Sequence, residues 1–180
     1  MKSGCFQKAI GIGSYGWQFG AIWFVLLSVF VTLASVSAIA QAKTGDELAV
    51  VVHPSTPVNG LSMDEVRQVF RGDKQYWNSN MPVVLLVRAP VAEERELVLK
   101  VIYRMSEGKF KQYWVSKIFR AEATSGPKIV FSNTMAGQLV AAVPGAIAFI
   151  NAKEVPPGLK VLPIDGRLPG QPGYPLRFTP

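Results

Sequence analysis

Short apolar runs along the chain predict a set of buried strands. "ELAVVVH" (Glu47–His53) and "PVVLLVRA" (Pro82–Ala89) are rich in valine and nearly free of polar side chains, as strands buried on both faces are. "PGAIAFI" (Pro144–Ile150) and "GLKVLPI" (Gly158–Ile164) are runs of the same kind, and "KIVF" (Lys128–Phe131) predicts a shorter strand. Each run is bounded by proline, glycine or polar residues, which mark the turns between elements.

Apolar residues between these runs recur at helical spacing. In "LSMDEVRQVF", Ser62 and Glu65 have the spacing of a capping box at a helix start. A longer helical region follows Glu93, and "SNT" (Ser132–Thr134) is expected to cap a further helix. Strands that alternate with helices define an α/β domain with a largely parallel or mixed sheet. The predicted core includes Val50, Val52, Val84, Leu86, Leu97, Ile102, Ile147 and Phe149.

The N-terminal segment has the pattern of an export signal. Lys2 and Lys8 are its only charges, and they precede an uncharged apolar run from Ala21 to Ile39. The run ends in "SAIAQA", whose small residues have the spacing that a signal peptidase accepts.

This pattern divides the chain into a leader, residues 1–42, and one domain, residues 43–180. We expect cleavage after Ala42, with Ala40 as the second choice, and a periplasmic mature protein. The alternative is an uncleaved membrane anchor, since the apolar run is nearly long enough to span a bilayer.

Composition and charge narrow the function classes. Apolar residues make up 49% of the chain and charged residues 17%, which predicts a folded protein. The formal net charge is +7, but the basic residues are scattered. "KFKQYW" (Lys109–Trp114) is the nearest approach to a basic and aromatic patch, and we interpret it as a solvated helix face. Together with export, this argues against a nucleic-acid partner.

Few residues are available for metal or catalytic chemistry. Cys5, the single cysteine, lies in the predicted leader, and His53 is the only histidine. A metal site or another cofactor is therefore not expected, and neither is a disulfide framework. The sequence offers no nucleophile with a base and an orienting partner, so we expect a protein that is not an enzyme.

The junction "VVLLVRAPVAEER" combines features of an anion site with features that oppose one. Arg88 ends a predicted strand, and the N–H groups at the start of the next helix would point toward an anion there. That helix begins with Glu93 and Glu94, however, and Arg88 could instead form a salt bridge with either of them or with a partner elsewhere. Ser132, Asn133 and Thr134 are further candidate ligands, although capping a helix is sufficient to explain them.

Four segments, taken in order, resemble one lobe of the phosphate-type periplasmic solute-binding proteins. They are "LAVVVHPSTPVNGLSMDEVRQVFRGDKQYW", the strand that ends in Arg88, "VPGAIAFINA" and "LKVLPIDGRLPGQPGYPL". The resemblance implies a type 2 periplasmic-binding-protein fold, with a mixed sheet flanked by helices. It also implies a non-enzymatic protein associated with an ABC-type transporter. Family members close two lobes on their ligand, whereas this chain has room for a single lobe.

The resemblance fails at the residues that follow Arg88. In the family, the arginine at the strand end is followed by Ser-Gly-Thr at a helix start, and these groups complete the oxyanion cradle. Here Ala92, Glu93 and Glu94 occupy those positions. Two hydroxyls and a close backbone approach are lost, and two carboxylates that repel an anion are gained. The resemblance therefore implies a degenerate anion site.

Two functions remain open at this stage. The first is an exported solute-binding-like protein that binds a small oxyanion weakly through Arg88, Ser132, Asn133 and Thr134. The alternative is a structural or regulatory envelope protein that contacts a protein partner and binds no small ligand. A face on which Arg88 is paired within the chain would favour the alternative.

Overall fold

A five-stranded mixed sheet with helices on both faces forms the centre of the molecule. The computed structural model describes residues 47–178, so the predicted leader and its cleavage site lie outside the described residues. The strands are β1 (Leu48–Val52), β2 (Tyr76–Asn78), β3 (Met81–Pro82), β4 (Val84–Arg88), β5 (Lys128–Val130), β6 (Ala146–Asn151) and β7 (Lys160–Leu162). The helices are α1 (Met63–Phe70), α2 (Glu93–Val98), α3 (Glu107–Phe119) and α4 (Asn133–Ala142), with a π-helical turn at Leu99–Tyr103 and a 3-10 turn at Ala152–Glu154.

The strand order is β5-β4-β6-β1-β7. β4 runs parallel to β5 and β6, whereas β1 runs antiparallel to β6 and β7. The predicted α/β class with a mixed sheet flanked by helices is confirmed. β2 and β3 pair separately as a short hairpin.

The two faces of the sheet carry two apolar clusters. The larger cluster contains most of the predicted core, namely Val50, Val52, Leu97, Ile102, Ile147 and Phe149. Leu86 lies in the smaller cluster, against α4. Val84 was predicted as core but is only partly buried, because it lies at the start of β4 beside the hairpin. Within residues 47–178, no helix combines the length and apolar character needed to cross a membrane.

The direction of β1 places the loop that follows it far from Arg88. Val52, at the carboxyl end of β1, pairs with Ile147 near the start of β6. Because β6 is parallel to β4, this end of β1 lies beside the start of β4, whereas Arg88 lies at the carboxyl end of β4. The loop "HPSTPVNGLS" therefore lies at the opposite end of the strands from "RAPVAEE" and "FSNTM", which follow β4 and β5.

The long helical region that follows Glu93 breaks at Arg104 and not at Gly108. Arg104 adopts a left-handed backbone conformation with φ of 54° and ends the π-helical turn. Ser106 then caps α3 through its side chain, and Gly108 lies within the first turn of that helix. The break rotates the chain, so that Arg95 in α2 and Glu107 in α3 meet.

The C-terminal segment is anchored by side chains, since it forms no regular helix. Tyr174 and Leu176 are buried, and the Tyr174 hydroxyl donates a hydrogen bond of 2.7 Å to the Leu48 carbonyl. Burial raises the pKa of Tyr174, so its hydroxyl stays protonated. The guanidinium of Arg177 pairs with Glu47 at 2.7 Å. These contacts attach the segment to the start of β1.

Candidate functional site

Arg88 meets a carboxylate of its own chain at the carboxyl end of β4. Its Nε lies 3.5 Å from Oε2 of Glu94, in the first turn of α2, and both side chains are only 13% exposed. The chain turns back after β4 through Val91, which has a positive φ of 69°. This turn brings Glu94, the second residue of α2, over the end of β4. Arg88 is therefore paired within the chain.

Asn133 holds the same carboxylate from the other side. Its Nδ2 donates a hydrogen bond of 2.7 Å to Oε1 of Glu94 and one of 3.1 Å to Oε2 of Glu154. Asn133 is the first residue of α4 and is only 4% exposed. One oxygen of Glu94 thus faces a cation and the other faces an amide, which is the set of contacts that a bound oxyanion would receive.

The surroundings of Glu94 keep its carboxylate charged. Burial raises the pKa of this side chain, but hydrogen bonds from Asn133 and from its own backbone N–H, together with Arg88, outweigh burial and lower the pKa below its ordinary value. Glu94 is therefore ionised at neutral pH. A fixed negative charge therefore lies between Arg88 and Asn133.

This lowered pKa predicts a pH-dependent contribution to stability. A carboxylate whose pKa is lower in the folded state stabilises the fold above its unfolded-state pKa, and this stabilisation is lost as the pH falls through the folded-state value. The free energy of unfolding of the Glu94→Gln variant should therefore be lower than that of the original protein, and the difference should be largest at pH 7. The deficit should shrink below about pH 4. Urea unfolding of both proteins across this range tests it, and a constant difference would contradict the assignment.

The candidate residues retain unused hydrogen-bonding capacity. Nη1 of Arg88 and Oδ1 of Asn133 are buried and have no hydrogen-bond partner among residues 47–178. An unsatisfied buried donor is costly, and a charged donor more so. The guanidinium is thus only partly satisfied by Glu94, through a single long contact.

Ser132 and Thr134 do not approach Arg88 or Glu94 through their side chains. The Ser132 hydroxyl accepts a hydrogen bond of 3.0 Å from the Met135 N–H, which is an ordinary helix cap. Thr134 is exposed, and its hydroxyl makes no hydrogen bond within the described part of the chain. Of the predicted site residues, the structure brings together Arg88 and Asn133, with Glu94 between them.

Sequence reasoning missed Arg95, whose side chain contacts the backbone of Arg88. Arg95 is 3% exposed and binds Glu107 with both Nε and Nη2, at 2.8 and 2.9 Å. Its Nη1 donates a hydrogen bond of 2.9 Å to the Arg88 carbonyl, and its guanidinium lies 4.6 Å from the centre of the Phe110 ring. The available signal was its helical spacing with the apolar residues Leu99 and Ile102, which placed it on a buried face.

Side chains of the types that ligate metals are dispersed among the described residues, and His53 lies away from Arg88. Within residues 47–178, no cluster of three or more histidine, cysteine, aspartate or glutamate side chains could hold a metal ion. Nδ1 of His53 lies 2.7 Å from the Ser55 hydroxyl, but this contact closes an exposed turn at the opposite edge of the sheet.

The fold is that of one lobe of the phosphate ABC transporter substrate-binding proteins. No protein-family model matches the chain, and a search of curated proteins finds no match. Among solved structures, it is similar to a protein from Clostridium perfringens described as a phosphate ABC transporter substrate-binding protein with bound phosphate. The TM-score is 0.56 at 18% identity, over 70% of this chain and 48% of that one.

Two further solved structures give the same result. An ABC-type phosphate transport receptor from Vibrio cholerae has a TM-score of 0.55 at 18% identity, over 70% of this chain and 49% of that one. PstS from Borrelia burgdorferi has a TM-score of 0.54 at 12% identity, over 69% and 49% of the two chains. This chain spans about half the length of each of these proteins. At such identities the likeness establishes the fold alone.

Proposed function

We propose that this chain is a non-enzymatic, solute-binding-like protein whose anion site is filled by its own Glu94. The observation that carries the proposal is the position of that carboxylate, between the Arg88 guanidinium and the Asn133 amide. An oxyanion would need the same donors, so it must displace Glu94 in order to bind. The protein would therefore bind free phosphate weakly or not at all.

The energetic argument supports weak binding. A ligand that reaches Arg88 must displace an intramolecular partner and lose its own translational freedom. It would also meet the charges of Glu93 and Glu154, which lie on the same edge of the sheet. Small oxyanions remain the class of ligand that these donors fit.

We place this protein in the periplasm. The support is the sequence of residues 1–42, with a charged start, an apolar run and a small-residue end, which we propose to be cleaved near Ala42. The phosphate-binding fold of the described residues is consistent with an exported protein that works at the cell envelope.

Two observations favour the alternative, an envelope protein that contacts a protein partner. Arg88 is paired within the chain. Several apolar side chains also face solvent, among them Phe119 at 91% and Phe131 at 74% exposed. Val115 and Ile118 lie at helical spacing with Phe119, and Ile129 lies on β5, the edge strand. Exposed apolar groups of this kind are typical of protein contact surfaces.

Calorimetry with phosphate tests the proposal. The unmodified protein should give no measurable binding up to about 1 mM phosphate, which corresponds to roughly −4 kcal/mol. The triple variant Ala92→Ser, Glu93→Gly, Glu94→Thr removes both carboxylates and restores hydroxyls and a close backbone approach. Its phosphate affinity should rise by roughly tenfold or more, as expected for recovered hydrogen bonds to a charged group.

Two single variants separate the effect of Glu94 from the effect of net charge. Glu94→Thr should reproduce most of the gain, because it vacates Arg88 and Asn133. Glu93→Thr removes the same charge from the same helical turn, but Glu93 is exposed and makes no ion pair among the described residues. The Glu93→Thr variant should therefore not gain phosphate affinity to a similar extent. Micromolar phosphate binding by the unmodified protein would overturn the proposal. Absence of binding in the triple variant would favour the protein-contact alternative.

A further inference from the structure

A second concave site lies at the opposite edge of the sheet from Arg88. It is a cavity of about 150 Å³, located where β4 and β5 begin, between the β2–β3 hairpin and α3. Its wall includes Val83, which precedes β4, and Leu85 near the start of β4, whereas Arg88 ends that strand. Val84 and Arg88 are separated by roughly 13 Å along the strand. The cavity is therefore independent of the site described above.

The floor of this cavity is apolar and includes an aromatic ring. Val69 of α1, Leu85 of β4, Trp114 of α3 and Ala123 line it. Val69, Trp114 and Ala123 are each less than a tenth exposed and belong to the larger apolar cluster. An apolar cavity of about this volume accommodates a single benzene-sized ring.

The rim of the cavity is positively charged. Lys74 and Lys128 line it, and no aspartate or glutamate is among its lining residues. Neither lysine forms an ion pair within residues 47–178, although Lys74 lies 5.8 Å from the centre of the Trp77 ring and its charge acts on Glu65. The nearby acids Asp73 and Glu122 are paired with Lys117 and Arg120. A negative group at the cavity mouth would meet two lysines and no carboxylate among the lining residues.

The outer wall is held in place by a contact across the cavity. Nε2 of Gln75 donates a hydrogen bond of 2.6 Å to the carbonyl of Glu122. This bond ties the segment that precedes β2 to the loop of residues 123–126, which closes the far side. The cavity is thus largely formed before any ligand arrives, as small-molecule sites usually are.

We propose that this cavity binds a small aromatic carboxylate, with a single ring against Trp114 and the carboxylate at Lys74 and Lys128. The volume limits the apolar part to one ring, and the charges at the rim select an acid over a neutral analogue. The ring replaces water against an apolar floor, and the carboxylate gains charge-assisted hydrogen bonds at the mouth. Phosphate, which has no apolar part, does not fit this site.

The test titrates the purified protein with phenylacetate and with phenylacetamide, its neutral analogue, by calorimetry and by amide shifts in NMR spectra. Phenylacetate should bind, with the largest shifts at Gly72 and residues 123–126. Phenylacetamide should bind roughly tenfold more weakly, because it lacks the charge. The Lys74→Met, Lys128→Met variant should remove that difference, and Ala123→Leu, which fills the floor, should weaken both ligands.

Lys111→Met is the matched control, because Lys111 is an exposed lysine of α3 that does not line the cavity. It should leave phenylacetate binding unchanged. Equal affinity for the acid and the amide would overturn the proposal, as would phenylacetate shifts elsewhere in the protein. Full phenylacetate binding in the double lysine variant would also do so. The lysine changes lie on the surface, so this result remains informative even if Ala123→Leu impairs folding.

Discussion

Replacing Gly145 by alanine is expected to lower the free energy of unfolding by about 2–5 kcal/mol, from backbone strain and overpacking together. Gly145 has a positive φ of 83°, and a Cβ built on it would lie 2.2 Å from the carbonyl oxygen of Pro82. Its own carbonyl accepts hydrogen bonds from the Trp77 indole and from the Val84 N–H, at 2.9 and 3.0 Å. Any shift that makes room for the methyl group therefore disturbs the attachment of the hairpin to the sheet.

Gly158→Ala is the matched control for this prediction. Gly158 also has a positive φ, of 87°, but a Cβ there would have no heavy atom within 4 Å. Its loss should be limited to the left-handed strain of about 1–2 kcal/mol. Urea unfolding of both variants measures the difference. Equal losses would mean that the close approach to Pro82 does not constrain this part of the fold.

Replacing Glu107 by alanine is expected to destabilise the protein by about 2–4 kcal/mol, because it leaves the buried Arg95 cation without its carboxylate. We place the loss slightly below that of a fully buried pair, since the Glu107 side chain is 33% exposed whereas that of Arg95 is 4% exposed. The hydrogen bonds from Arg95 lower the pKa of Glu107, which shows the sign of the interaction. The Arg95 contact with the Arg88 carbonyl should loosen as well.

Glu96→Ala is the control for the Glu107 variant. Glu96 is an exposed carboxylate of α2 and forms no ion pair among the described residues. Its removal changes the net charge equally and should alter the free energy of unfolding by less than about 0.5 kcal/mol. Chemical unfolding followed by tryptophan fluorescence compares the two. Similar losses in both variants would show that Arg95 tolerates the absence of its partner.

Local rules were sufficient for most elements of this fold. The capping box of Ser62 and Glu65 is present as predicted, because both hydrogen bonds form within one helical turn. The valine-rich runs became β1 and β4, since β-branched residues favour strands and a continuous apolar run suits a strand inside a sheet. Helix α4 likewise begins at its predicted cap, Ser132. Information of this kind lies within a few neighbouring residues.

Other features depended on contacts between distant parts of the chain. The hairpin β2–β3 forms in a linker-like segment, because Trp77 finds a hydrogen-bond acceptor at Gly145, far away in sequence. No glycine or proline at Arg104 predicts the break in the helix there. The break is stabilised by the ion pair between Arg95 and Glu107. The direction of β1 was also beyond local patterns, since strand pairing depends on the whole topology.

The sequence by itself determined that the helix after Arg88 begins with two carboxylates, because Glu93 and Glu94 come shortly after the end of the predicted strand. Only the tertiary structure decided which of these carboxylates pairs with Arg88. That choice depends on Asn133, which folds in from α4 and holds Glu94 against Arg88. The physical reason is the separation in sequence of the residues involved. Residues that come shortly after Arg88 can be read from the chain, whereas the partners of a buried charge come from distant segments that only the fold brings together.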